Sequence, residues 1–166
     1  MINENTAMAQ LSERLALACG YNPTCATQIR VAATLHDIGK RCISKEILEK
    51  PGKLTPQEFE IVKKHTIYGA NYCKFMLSGE LRKMARDVAL LHHEWYNGNG
   101  YWGHEASKLP QFIGIVAICD VYCALVYKRV YKPSWTVDES ISYIRNQAGT
   151  QFCPRLVDTF LSLICA

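Results

Sequence analysis

"IRVAATLHDIGK", residues 29–40, is apolar at helical spacing until it runs into two polar side chains. Positions three, four and seven beyond Ile29 are Ala32, Ala33 and His36, which share one face of a helix, and Asp37 follows directly. The face that should enter a core thus ends in an imidazole and a carboxylate. The same offsets from Ala85 give Val88, Ala89 and His92, followed by His93; from Ile113 they give Val116, Ala117 and Asp120. On an intervening helix, Ile61, Tyr68 and Tyr72 fall on one face with His65. Four helices are therefore expected to aim an imidazole or a carboxylate inward from an apolar stripe.

One histidine on an apolar face is ordinarily a hydrogen-bonded core residue, but four such groups together need a common partner. Each inward polar group left unpaired costs roughly 1–3 kcal/mol, and a carboxylate costs more. Together they would consume much of the ~5–15 kcal/mol by which a domain is stable. A divalent metal shared by His36, Asp37, His65, His92, His93 and Asp120 pairs them all, and bundle cores are a usual place for such sites.

Imidazole and carboxylate without thiolate suit manganese, iron, nickel or zinc and count against an iron–sulfur cluster. Six ligands exceed one tetrahedral ion, so a two-metal site is expected, with Asp37 as bridging carboxylate. Two ions about 3.5–4 Å apart can hold a hydroxide between them and stabilise the attacking and leaving oxygens of a phosphoryl displacement. Hydrolysis of a phosphate ester is the reaction this chemistry suits best.

The rest of the composition is consistent with that expectation. The 166 residues, 49 % hydrophobic and 20 % charged, match one globular domain able to bury its own core. No apolar run approaches the ~20 residues that cross a bilayer, and "MINENTAMAQ" lacks the regions of a signal peptide, so a cytoplasmic location is expected. Eight cysteines occur without a Cys-x-x-Cys pair. Cys19, Cys73, Cys119, Cys123 and Cys165 lie in apolar helical stretches and read as small buried thiols in a reducing compartment. The net charge of +4 is scattered, which suits an anionic ligand without arguing for DNA or RNA.

Helical periods dominate, with no convincing strand alternation and no internal repeat. Helices are expected over 5–19, from Thr24 or Cys25 to Gly39, and from a cap at Thr55 with Pro56 first and Glu58 placed for a capping box. Further helices fit 80–94, 110–130, 137–146 and 154–164. The predicted fold is all-α, a compact single-domain bundle of about seven helices over residues 1–166 with the metal site in its core. In the glycine-rich loop 97–103, Asn97-Gly98 and Asn99-Gly100 supply positive φ angles cheaply.

"TLHDIGK" (34–40) resembles the signature of the HD superfamily of metal-dependent phosphohydrolases. "KPGKLTPQEFEIVKKHTIYGA" (50–70), "HHEWYNGNGYWG" (92–103), "DVYCALVYKRVYK" (120–132) and "GTQFCPRLVDTFL" (149–161) look like its HD-GYP branch. That resemblance implies an all-helical fold, two or three iron or manganese ions, and hydrolysis of the bacterial second messenger cyclic di-GMP in a signalling role. It implies that His36, Asp37, His65, His92, His93 and Asp120 are metal ligands, with Asp37 and Lys40 acting at the scissile phosphate. It also implies that Gly100, Tyr101 and Trp102 line the substrate groove and that Arg129 and Lys132 contact the substrate. A sensor or receiver domain fused in a longer parent chain, or another protein partner, would fit the same family.

Several positions depart from the family pattern. A histidine ligand expected about 32 residues before His36 falls on Glu4, beside Asn5: either Glu4 replaces it, that ligand has been lost, or one metal is held weakly. Trp102 ends the Gly-Tyr-Pro that names the branch, Trp95 and Asn97 replace its usual Arg and Asp, Cys123 and Cys153 stand where aspartates are usual, and Gly114 replaces an arginine. Such supporting groups matter about 10- to 100-fold in metal sites, so reduced activity is expected. The alternatives are a nucleotide phosphohydrolase of the wider HD superfamily, or an HD-GYP-like adaptor that keeps the fold without the catalysis.

Overall fold

The computed structural model describes residues 4–127 and 134–165. Among these residues nine α-helices and two short 3-10 turns occur, with no strand beyond one isolated bridge between Ala148 and Phe152. The helices are α1 (Glu4–Ala18), α2 (Pro23–Thr34), α3 (Lys45–Leu48), α4 (Pro56–Lys63), α5 (His65–Met76), α6 (Gly79–Leu91), α7 (Gln111–Val126), α8 (Val137–Asn146) and α9 (Pro154–Ile164). There are more than the seven expected because α3 is a single short turn and the helix after Thr55 divides in two.

α2 begins earlier than Thr24. Asn22 accepts a hydrogen bond from the Cys25 N–H at 2.9 Å, and Pro23 takes the first helical position, where its missing N–H costs nothing. α2 also stops at Thr34 rather than Gly39, and the chain turns through His36 and Asp37 into a 3-10 segment at Ile38–Cys42. That turn lies directly on α5: a Cβ on Gly39 would collide with the carbonyl oxygen of His65 and the backbone N of Gly69. Leaving the helix lets Asp37 face the start of α5 instead of continuing along α2.

The capping box at α4 forms as expected, with Thr55 Oγ1 accepting from Glu58 N at 3.2 Å and Glu58 accepting from Thr55 N at 2.7 Å. α4 then ends at Lys63, so His65 opens a separate helix. The Ile61, Tyr68 and Tyr72 stripe is consequently not a core face: these side chains are 39 %, 38 % and 40 % exposed. His65 is buried together with Thr66, Gly69, Ala70 and Cys73. The break at Lys64 resets the helical phase, which offsets counted across it cannot register.

α5 packs along α6, α1 along α2 and α7, and α2 against α6, so the chemistry-bearing ends of α2, α6 and the middle of α7 converge. The Ile29, Ala32 and Ala33 stripe, the Ala85, Val88 and Ala89 stripe, and Val116 are all fully buried, with Leu15, Ile118 and Phe160 filling the space between them. Burying side chains of this size contributes about 1.5–3 kcal/mol each. Cys73, Cys119 and Cys123 are buried thiols as expected; Cys165, just past α9, is exposed because the helix has ended before it. All eight cysteines are free. No helix among the described residues is long and apolar enough to cross a membrane.

Candidate metal centre

Three imidazoles are oriented by the backbone that precedes them. His36 Nδ1 lies 2.7 Å from the Ala33 carbonyl oxygen, His65 Nδ1 2.7 Å from that of Val62, and His92 Nδ1 3.0 and 3.2 Å from those of Val88 and Ala89. A carbonyl only accepts, so each Nδ1 is assigned the proton, and each Nε2 is turned toward the centre. Each ring stands at or just beyond a helix end, where carbonyls lack helical partners.

Asp37 sits among these Nε2 atoms. Its Oδ1 is 3.3 Å from His65 Nε2 and 3.8 Å from His92 Nε2, while its Oδ2 is 3.2 Å from His36 Nε2 and 2.6 Å from Lys40 Nζ. Asp120 Oδ1, from α7, approaches His36 Nε2 at 3.6 Å. Two ligand groups result, Asp37 with His65, His92 and His93, and His36 with His92 and Asp120, each with its donor atoms within 4.8 Å of one another. That spacing is what ligands ~2.0–2.5 Å from a shared ion require.

Asp37 Oδ1, His65 Nε2 and His92 Nε2 are buried without a hydrogen-bond partner. With the ring protons on Nδ1, the two Nε2 lone pairs face a carboxylate lone pair, an arrangement that repels until a cation stands between them. The donor set of imidazole and carboxylate therefore fits a divalent ion.

Electrostatics prepares the same groups. Burial works against the charge on Asp37, but the facing His36 imidazole and the nearby ammonium of Lys40 hold its carboxyl far below the usual range. Asp120 is likewise lowered by His36 despite its burial. Burial and the neighbouring His93 and His36 keep His92 neutral, and burial with the neighbouring His65 imidazole pushes His93 down to about 3. His36 differs: burial would lower its pKa, but the facing carboxylates of Asp120 and Asp37 outweigh that and raise it to about 10.

Beside this cluster lies a cavity of about 310 Å³ lined by Glu4, Asn5, Met8, His36, Asp37, Asp120 and Cys123. Glu4 and Cys123, two of the departures noted above, thus reach the same chamber, Glu4 from the first turn of α1. Gly114 and Cys153 instead line a second cavity of about 280 Å³ beneath the following loop, together with Glu94.

The loop after His93 folds back over it. The Tyr101 ring lies 4.3 Å from that of His93, tilted by 31°, and meets Phe59 edge-on at 5.6 Å. Burial and the charges of Asp37 and Asp120 push the Tyr101 phenol up to about 12. Trp102 donates its indole N–H to Thr66 Oγ1 at 3.1 Å, and Lys63 Nζ stands 5.0 Å from its ring and 5.9 Å from that of Tyr101. Gly98 has the expected positive φ of 85°, but Gly100 does not: it is required by space, since a Cβ there would come within 2.5 Å of Glu94 Cα and 2.6 Å of the His93 carbonyl. A second positive φ falls on Gly103, at 77°.

Sequence reasoning missed the residue that holds this loop. Glu94 is 3 % exposed, and its carboxylate accepts the backbone N–H of Trp102 at 2.8 Å and of His104 at 2.7 Å. Its only signal is position: a carboxylate between an inward histidine and a glycine-rich turn has no solvent side. Lys63, held by Glu60 at 3.1 Å, was missed for the ordinary reason that lysines at helix ends complement the dipole. Arg129 and Lys132 lie outside the described residues, and α7 ends at Val126, short of the expected 130.

The HD domain family model matches residues 1–156. The chain is 38 % identical over 154 residues to a cyclic di-GMP phosphodiesterase of Thermotoga maritima, covering 92 % of this chain and 42 % of that protein. It is also 38 % identical over 155 residues to a 3′3′-cGAMP-specific phosphodiesterase of Vibrio cholerae, covering 93 % of this chain and 30 % of that one. The chain therefore spans less than half the length of these relatives. Among solved structures, an HDG"Y"P protein from Bdellovibrio bacteriovorus superimposes with a TM-score of 0.75 at 17 % identity, over 98 % of this chain and 52 % of that one.

Proposed function

We propose that this chain, which belongs to the HD domain family, is a metal-dependent phosphodiesterase domain, continuous over residues 1–166, that hydrolyses a cyclic dinucleotide such as cyclic di-GMP. The observation that carries this reading is the trio of buried atoms without partners, Asp37 Oδ1, His65 Nε2 and His92 Nε2, which face one another across 3.3 and 3.8 Å. A merely structural polar cluster would satisfy its own hydrogen bonds. The relatives at 38 % identity are named for cyclic di-GMP and 3′3′-cGAMP, so the shared substrate chemistry is a 3′–5′ phosphodiester closed into a ring.

In this reading Asp37, His65, His92 and His93 would hold one ion and His36, His92 and Asp120 the other, with Asp37 Oδ2 3.2 Å from His36 and Glu4 available from the cavity wall. Asp37 would serve both, since its Oδ2 faces His36 and its Oδ1 faces His65. Iron or manganese suits the mixed donor set best, with nickel or zinc compatible. When bound, such ions supply Lewis-acid polarisation of a phosphoryl oxygen and a water nucleophile at neutral pH.

The chain's own groups do the remaining work. Carbonyls behind His36, His65 and His92 fix the rings so that no reorientation is needed on binding. Lys40, beside Asp37, presents an ammonium where the scissile phosphate would lie. Gly100, Tyr101 and Trp102 form the wall on which a base rests, and Trp102 is fastened to Thr66 so that the wall is rigid.

The test is turnover of cyclic di-GMP and of 3′3′-cGAMP with added manganese or iron, measured beside His36→Ala and Asp37→Ala variants, with elemental analysis of each. Metal-dependent turnover in the parent protein and its loss in both variants is expected; equal rates in all three would overturn the reading.

A further inference from the structure

The α5–α6 hairpin tip carries chemistry that the metal centre does not use. α5 is 12 residues long, so at ~1.5 Å per residue its two ends stand about 17 Å apart, with His65 at one and Met76 at the other. At the far end Phe75 and Met76 are 79 % and 63 % exposed, the most exposed large hydrophobic side chains among the described residues. Scattered single apolar residues on a surface need no explanation, but two adjacent ones at a hairpin tip form a protrusion.

Directly beside them is a surface cleft of about 460 Å³ lined by Asn71, Lys74, Gly79, Arg82, Lys83 and Arg86. Every charged residue of that lining is cationic. Arg82 is held in place by its Nε–H, which donates to the Leu77 carbonyl at 2.6 Å, so its planar guanidinium is presented rather than free to swing. Lys74 Nζ sits 5.8 Å from the Phe75 ring, joining the charged and apolar parts. Glu80 and Asp87 lie on the same helix, and Asp87 meets Arg86 at 4.0 Å, so four cations stand against two carboxylates.

We propose that this tip docks on an anionic bilayer surface, with lipid phosphates in the cationic cleft and Phe75 and Met76 inserted at the headgroup–acyl boundary. A cleft of cations alone would suit any free anion; the adjoining exposed Phe and Met are what commit it to a lipid surface, because a free phosphate has no apolar part for them to meet. Docking there leaves the metal centre, at the opposite end of α5, open to solvent. The proposal does not depend on the phosphodiesterase reading.

Co-sedimentation with vesicles of phosphatidylcholine alone and of phosphatidylcholine with phosphatidylglycerol tests it on the full chain. Binding is expected to the mixed vesicles only, weakening as salt rises. Each cation near the surface is worth roughly fivefold in partition, so Arg82→Glu with Lys83→Glu should lower binding by at least ~25-fold. Phe75→Ser with Met76→Ser should lower it by about tenfold or more at unchanged charge. All four positions are exposed, so circular dichroism should be unchanged. Equal binding to neutral vesicles, no binding to either, insensitivity to both double variants, or full displacement by inorganic phosphate at equal ionic strength would each overturn it, the last by assigning the cleft to a free anion.

Discussion

The floor of the candidate site, made by His36, Asp37, His65, His92 and Asp120, leaves buried polar atoms facing one another, whereas the loop at 97–104 that covers His93 has its buried carboxylate, Glu94, engaged by two backbone N–H groups. Both regions bury charge, and they resolve it differently. The loop is complete in itself, while the floor is complete only with a cation. Damage to the floor should therefore appear first in metal content, and damage to the loop in stability and rate at constant metal content.

The largest effect is expected from Asp37→Ala, which removes the carboxylate that stands among His36, His65 and His92. Metal affinity should fall by at least ~100-fold, and the thermal stabilisation conferred by added manganese should disappear. Elemental analysis and melting curves with and without chelator read this directly. A variant that still retains metal at the parent ratio would place the ions elsewhere.

Glu94→Ala comes next and breaks the other side of the comparison. Two part-buried N–H groups lose their acceptor, and at ~1–3 kcal/mol each denaturant unfolding should show a loss of about 2–6 kcal/mol. Glu94→Gln, which keeps one acceptor oxygen, should fall between. The metal ratio should stay at the parent value in both, with Tyr101 and Trp102 displaced and turnover lowered by ~10- to 100-fold. Loss of metal in Glu94→Gln would mean that loop and floor are one unit.

Proton linkage sharpens the comparison within the floor itself. His92 and His93 are already neutral, but His36, raised to about 10 by Asp120 and Asp37 against its burial, carries a proton that an ion must displace. Metal affinity should thus rise with pH, by up to ~tenfold per unit between about 7 and 9.5, with about one proton released per chain on loading. Titration calorimetry in buffers of different ionisation enthalpy measures that proton. Affinity flat over this range would remove His36 from the ligand set.

The parts of this site that periodicity revealed are those lying on unbroken helices. Val88, Ala89 and His92 follow one helical face, as do Val116 and Asp120, and the packing keeps both faces inward. Periodicity does not account for the burial of His65, because the stripe through Ile61, Tyr68 and Tyr72 crosses the break at Lys64 and faces outward. Gly39 and Gly100 owe their presence to backbone approaching from α5 and from 93–95 respectively, contacts that exist only once the chain is folded. Glu94 escaped notice for the same reason: its two donors lie eight and ten residues on, at spacings fixed by the loop rather than by a helix.

The smallest effect tests whether the loop needs its second fastening. Trp102→Phe keeps an aromatic wall and removes the indole N–H that reaches Thr66 Oγ1 at 3.1 Å. The Thr66 hydroxyl still donates to the Lys63 carbonyl at 2.9 Å, so no buried donor is stranded, and the loss should be only about 1 kcal/mol. Because Glu94 still holds the Trp102 backbone, metal content should not move and turnover should fall by no more than a few-fold. A drop as deep as that of Glu94→Ala would show that the loop is held from α5 through Thr66 rather than from within, and the distinction between a self-sufficient loop and a cation-dependent floor would have to be redrawn at that contact.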